Sequence, residues 1–240
     1  MSLDPLSFSL ISQGLRAIPQ EMNTNLIRTA YSTVIREGRD ASTGLLDASG
    51  NVVAQAESIA VQLGALQESF RGCARAIDLA TIGPDDIMIT NDPYHGASHV
   101  PDVSIFMPIF HEGKLVAWAG SVGHLTDIGG GAPGSANAKA TDIYGEGFLL
   151  PPVKVAVPRE FSETLLWQIM RGNIRAPQKS IDDLNAQLAA NRTGVQRFRE
   201  LCTKYGTATV TEGIQELLAY TERRMREAIR NFPEGTFVGE

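Results

Sequence analysis

The sequence predicts an α+β fold, with mixed or antiparallel strands and hairpins in the middle and helices at both ends. Apolar residues recur at helical spacing before about residue 34 and again after residue 162. Between them lie β-prone segments paired about short Gly-containing turns, and Gly or Pro separates the two kinds of element. In chain order, Leu6, Leu10, Ile11, Leu15, Ile18, Met22, Leu26, Ile27 and Ala30 set the first helix, from Pro5 to about Val34, with Pro19 as a kink point. "TGLLDASGNVVAQA" then offers two strand arms around Ser49-Gly50-Asn51. Leu66 to Leu79 returns to helical spacing, and Gly83-Pro84 closes it before the strand "DIMIT". "VSIFMPIF" and "KLVAWAGSV" flank His111-Glu112-Gly113 as a second hairpin. Asp127 to Gly147, rich in Gly and Ala, is long for an ordinary connection and marks a functional or disordered loop. Ser162 to about Phe232 carries two or three amphipathic helices, broken near Gly172, Pro177 and Gly206. The expected organisation is one region over 1–240, with a mixed α/β part at 1–160 and a helical part at 161–235. "NFPEGTFVGE" reads as a turn entering a strand at Thr236-Phe237-Val238, as in a truncated protein.

At 240 residues, 43% of them apolar, the chain is long enough for a substantial core. A net charge of −6 argues against nucleic acid, whose binders carry a basic patch. The start "MSLDPLSFSL" lacks the charge pattern of a signal peptide, and no apolar run reaches bilayer-spanning length, so neither secretion nor a membrane is expected. Cys73 and Cys202 have no metal or redox spacing, which fits a reducing, cytoplasmic setting. The sequon at Asn191-Arg192-Thr193 then has no meaning.

The chemistry concentrates in "NDPYHGASHVPDVSIFMPIF", Asn91 to Phe110. If the second hairpin folds about Glu112-Gly113, residues whose numbers sum to about 225 or 226 face one another, and Asp102 lies beside Gly123 or His124. His99, three residues before Asp102, is close enough to be a third ligand. Two imidazoles and a carboxylate with room for water suit a catalytic Zn²⁺, or a facial-triad Mn²⁺ or Fe²⁺. His111 lies at the wrong end of the hairpin and is assigned to the surface. His95 shares the loop with His99 and is ambiguous. Asp92 fits an Asx-type loop bond. Asp127 could be a ligand, a partner behind His124, or a loop cap, and the second of these is preferred. The glycines Gly129, Gly130 and Gly131 could cradle an anion, but no P-loop ending follows, and a flexible substrate lid fits better. Ser98, Ser135 and the cysteines lack the setting of a nucleophile.

Five blocks, "REGRDAST", "NDPYHGASHVPD", "GHLTDIGGGAPGS", "EGFLLPPVK" and "NIRAPQKSIDDLNAQLAANRTG", together resemble the hydantoinase B/oxoprolinase family over nearly the whole chain. That family includes the B-type components of N-methylhydantoinases, one half of ATP-dependent 5-oxoprolinase, and subunits of acetone and acetophenone carboxylases. The resemblance implies a metal-containing reaction subunit that opens a cyclic amide, a hydantoin or a lactam. Its partner would be a hydantoinase A-type, ATP-using subunit in a hetero-oligomer. Carboxylation of an activated ketone and an inactive scaffold are the alternatives. On the resemblance His99, Asp102 and His124 carry the metal, Asp40 is an additional carboxylate ligand, and Glu146 is the acid/base group, with His95 as the alternative. The chain departs from the family at Leu125, where a second histidine is common, and at Val122, where several members have arginine. Family members run to about twice this length.

Overall fold

The computed structural model describes residues 3–157 and 159–236. It opens with helix α1 (Pro5–Thr29) and a single turn, α2 (Thr33–Arg36). Pro19 lies inside α1 without ending it. The sequence pattern runs on to Val34, but the helix stops at Ala30, whose backbone is extended. The next two amides, of Tyr31 and Ser32, donate instead to the Asp183 carboxylate. A carboxylate more than 150 positions away therefore sets the helix end, which local spacing does not reveal.

Among the described residues six strands form one antiparallel sheet in the order β2-β1-β5-β4-β3-β6. They are β1 (Ala41–Asp47), β2 (Val52–Gln55), β3 (Asp86–Thr90), β4 (Asp102–His111), β5 (Lys114–His124) and β6 (Val153–Ala156). The first hairpin closes where Asp47 accepts from the amides of Ser49 and Asn51, with Gly50 at φ +86°. In the second, Glu112 and Gly113 both take positive φ, 50° and 74°, the conformation that suits a two-residue turn to the strand twist. The sequence alone does not mark β6, which lies in the Pro-flanked segment after the glycine-rich loop.

Helix α3 (Ala60–Ala76) covers one face of the sheet; it starts six residues earlier than the apolar spacing suggests. Its Phe70 packs edge-on against Phe106 and Trp118, at 5.3 and 5.2 Å between ring centres. The other face carries α1 and α5 (Pro177–Tyr205), whose Leu15, Met22, Leu184 and Leu188 meet Ile105 and Ala119 in the larger core cluster. Strand alternation produces this division, since Ile105 and Phe106 point to opposite faces. A short helix, α4 (Leu165–Met170), precedes α5, and α6 (Thr207–Arg230) packs on α1 and α5. The breaks expected near Gly172, Pro177 and Gly206 are where these three helices meet. Among the described residues no helix is long and apolar enough to cross a membrane. Phe237 and Val238, in the expected terminal strand, lie outside the described residues.

Candidate metal centre

Asp102 opens β4 and His124 ends β5, and the two are direct partners in the ladder. By alternation both fall on the α3 face. His99 belongs to the turn that enters β4, where the Asp102 amide donates to its carbonyl at 3.0 Å. Oδ1 of Asp102 lies 2.9 Å from His99 Nε2 and 2.9 Å from His124 Nδ1, and the two nitrogens are 3.1 Å apart. Among the described residues this is the one group of three ligating side chains so gathered.

The donor set fits a divalent ion. One carboxylate oxygen shared by two imidazole nitrogens that also face each other forms a near-equilateral triangle of lone-pair donors. Three ligands about 2.1 Å from one ion are about 3.0 Å apart at right angles and about 3.4 Å apart in a tetrahedron, so the separations match a facial set more closely. Burial raises the Asp102 carboxyl, but hydrogen bonds from His124, His99 and Ser98 outweigh it and hold the group well below the ordinary carboxylate range. The Asp102 hydrogen bond, opposed by burial, raises His99. Ser98 Oγ donates to Asp102 Oδ2 and so turns Oδ1 toward the two rings.

Asp40 stands beside this triangle. Its carbonyl accepts from the His124 amide at 3.1 Å, and its Oδ2 is 3.8 Å from His124 Nδ1. Gln62 of α3, buried, donates to Asp40 Oδ1 at 2.7 Å and accepts from Ser42 Oγ at 3.0 Å. Burial, the largest influence on Asp40, raises its carboxyl. Neither of these supporting roles, of Gln62 or of Ser98, is evident from the sequence. The only signal for Gln62 is a polar residue on a buried helix face, visible once the helix is placed.

The remaining expected residues divide. Asp92 makes the Asx-type bond to the Tyr94 amide at 2.9 Å and with its other oxygen meets His95 Nδ1 at 2.7 Å. His95 is thus tied to Asp92, outside the triangle of donors. Gly96, at φ +100°, lets the loop press on α3, where an added Cβ would come within 2.3 Å of the Glu68 carbonyl carbon. Asn91 donates to the carbonyls of Val100 and Phe148, at 2.8 and 2.9 Å, and accepts from the Leu150 amide at 2.7 Å. It joins the two segments that flank the centre. His111 bonds through Nδ1 to Thr207 Oγ1 at 2.8 Å, far along the hairpin.

Asp127 does not reach behind His124. Its Oδ1 accepts from the amides of Gly129 and Arg175, at 2.8 and 3.2 Å, and its Oδ2 from the Gly134 amide and the Arg175 guanidinium, at 2.8 and 3.2 Å. Of the three roles considered for it, the geometry is that of the loop cap. Burial raises its carboxyl, but these bonds win and lower it. The glycine-rich loop is accordingly built around polar contacts, whereas its composition suggests a flexible lid. Residues from its second half, Ala140 to Ile143 and Glu146, line a cleft of about 560 Å³ together with Tyr94, Ser98 and His99. A larger cleft, about 660 Å³, lies at the far end of β4 against Met107 and Pro108, away from Asp102. Burial pushes the thiols of Cys73 and Cys202 up to about 12 and about 11, so neither is a ready nucleophile.

The family model for hydantoinase B/oxoprolinase matches residues 4–240. A protein of Pseudomonas sp. (strain NS671), named as the B-type component of a D-/L-hydantoinase, is 34% identical over 242 residues, covering 99% of this chain and 41% of that protein. The crystal structure of ATP-dependent caprolactamase from Pseudomonas jessenii superposes with a TM-score of 0.89 at 32% identity, covering 98% of this chain and 40% of the other. A nucleotide-free acetone carboxylase structure superposes with a TM-score of 0.82 over 90% of this chain and 28% of the other; at 21% identity it speaks for the fold alone. The chain spans about two fifths of the length of the curated relatives it matches first. From residue 4 to its last residue, then, this chain belongs to the hydantoinase B/oxoprolinase family.

Proposed function

We propose that this chain forms the metal-holding part of the reaction subunit of an ATP-dependent cyclic amide hydrolase, opening a hydantoin-like or lactam-like ring together with a hydantoinase A-type partner that spends the ATP. One observation carries the reading: the side chains of His99, Asp102 and His124 come together, and His99 lines a cleft that Glu146 also lines. Its relatives named for hydantoinase and caprolactamase activity supply the substrate class.

His99, Asp102 and His124 would hold the ion, with Asp40 beside them as a further ligand. When bound there, a divalent ion would supply Lewis-acid chemistry, polarising a carbonyl and lowering the pKa of water toward about 7. Ser98 and Gln62 orient the two carboxylates, so that each offers one oxygen inward. Ring opening adds the hydroxyl of water to the carbonyl carbon and breaks the carbon–nitrogen bond, and the departing nitrogen gains a proton. Glu146 would take the proton from water and return it to that nitrogen.

The test is reconstitution. The full-length chain, purified with its partner, should contain about one equivalent of Zn, Mn or Fe and open a hydantoin or lactam only when ATP is supplied. Turnover without metal, or by this chain with ATP and no partner, would overturn the reading.

A further inference from the structure

Among the described residues, the guanidinium of Arg175 makes more bonds to the glycine-rich loop than any other side chain. Nη1 donates to the carbonyls of Gly129 and Ala132, at 3.2 and 3.1 Å, and to Asp127 Oδ2 at 3.2 Å. Nη2 donates to the Gly130 carbonyl at 2.6 Å. Arg175 comes from outside the loop, just before α5, and Ser180 in the first turn of that helix reaches the Asp127 carbonyl at 3.4 Å. Three carbonyls and a carboxylate arranged around one side chain match the planar, five-donor fork of arginine, and a lysine ammonium cannot reproduce that pattern.

The gathered glycines in turn support the arm that carries Glu146. Gly130 lies so close to that arm that an added Cβ would come within 2.7 Å of both the Glu146 carbonyl carbon and the Gly147 nitrogen. The Gly131 amide donates to the Gly145 carbonyl at 2.9 Å, and the Phe148 amide to the Ile128 carbonyl at 2.6 Å. We propose that Arg175 is a positioning residue: by gathering the carbonyls of Gly129, Gly130 and Ala132 it sets the arm that holds Glu146 in the cleft that His99 also lines. The inference rests on the proposed acid/base role of Glu146 for its effect on turnover, but not for its effect on the loop.

The experiment uses the full-length chain with its partner and compares Arg175→Ala, Arg175→Lys and Glu146→Gln. Metal content and amide hydrogen exchange over residues 128–147 are read beside kcat and KM. Arg175→Ala should keep its metal, exchange the loop amides at least about tenfold faster, and lose kcat by about 10²-fold, as a misplaced catalytic group does. Arg175→Lys should stay close to Arg175→Ala. Added guanidinium ion should recover part of kcat in Arg175→Ala and none in Glu146→Gln. Loop exchange unchanged in both arginine variants, or full activity in Arg175→Lys, would overturn the clasp. If Arg175→Ala does not fold, Arg175→Lys decides by its loop exchange alone. A harmless Glu146→Gln would remove the acid/base reading, while the exchange result still judges Arg175.

Discussion

Asp102 and His124 face each other across the β4–β5 ladder, with Oδ1 and Nδ1 2.9 Å apart, and His99 closes the triangle from the preceding turn. If an ion sits there, it must lose two of its three nearest donors when both histidines become alanine. The unaltered protein is expected to purify with about one equivalent of metal and the His99→Ala, His124→Ala pair with none; elemental analysis decides it.

Gln62 and Ser98 act one bond further out, holding Asp40 and Asp102. Gln62→Leu and Ser98→Ala should each weaken metal binding by about 10–100-fold without abolishing it. Competition against a chelator of known affinity measures this, and unchanged affinity in both would leave those hydrogen bonds without a role at the centre.

The pH dependence follows from His99, which the Asp102 hydrogen bond raises. A histidine raised on folding favours the folded state below its unfolded value of about 6.5, and that contribution disappears as the pH climbs through the folded value. In chelator-treated protein the contribution of the His99–Asp102 pair should therefore fall across this range, seen as a difference in melting temperature from His99→Asn that shrinks with rising pH. Metal competes with the same proton, so metal affinity should instead rise with pH.

Glu146→Gln should leave metal content intact and lower kcat by about 10²–10⁴-fold, as expected of an acid/base group. Lost metal would make Glu146 a ligand instead. Steady-state kinetics of the reconstituted complex, paired with metal analysis, separates the two outcomes.

Two glycines on neighbouring surfaces should respond oppositely. Gly96→Ala forces a side chain into a positive φ and against the backbone of Glu68, and should destabilise by about 2–4 kcal/mol. Gly64, inside α3, has nothing among the described residues within 4 Å of an added Cβ, so Gly64→Ala should stabilise by about 0.4–1 kcal/mol. Denaturant midpoints compare them directly.

The hairpin was the part of the centre most legible in the sequence, because a two-residue turn fixes the register and hence which residues oppose. Asp102 with His124 and Ile109 with Ala117 keep one register, and it slips by one only at the bulge before Phe110 and Leu115. Only the family resemblance points to Asp40, and its place beside His124 follows from the β1–β5 pairing, which no local spacing predicts. The order of the glycine-rich loop was not legible at all. Gly and Ala composition counts apolar area, whereas the loop is held by Asp127 and by Arg175, which lies 48 positions further along the chain. Helix α5 hides a similar surprise. Asp183, Gln187 and Asn191 follow a helical period that looks like a solvated face, yet all three are fully buried.

The Glu112–Gly113 turn stands at the opposite end of the β4–β5 hairpin from Asp102 and His124, about 30 Å away at the usual rise per strand residue. Among the described residues nothing lies within 4 Å of where a Gly113 side chain would begin. An epitope tag or fluorescent reporter spliced between these two residues would thus sit far from His99, Asp102 and His124, giving the protein a handle for pull-down or imaging that does not crowd the cleft.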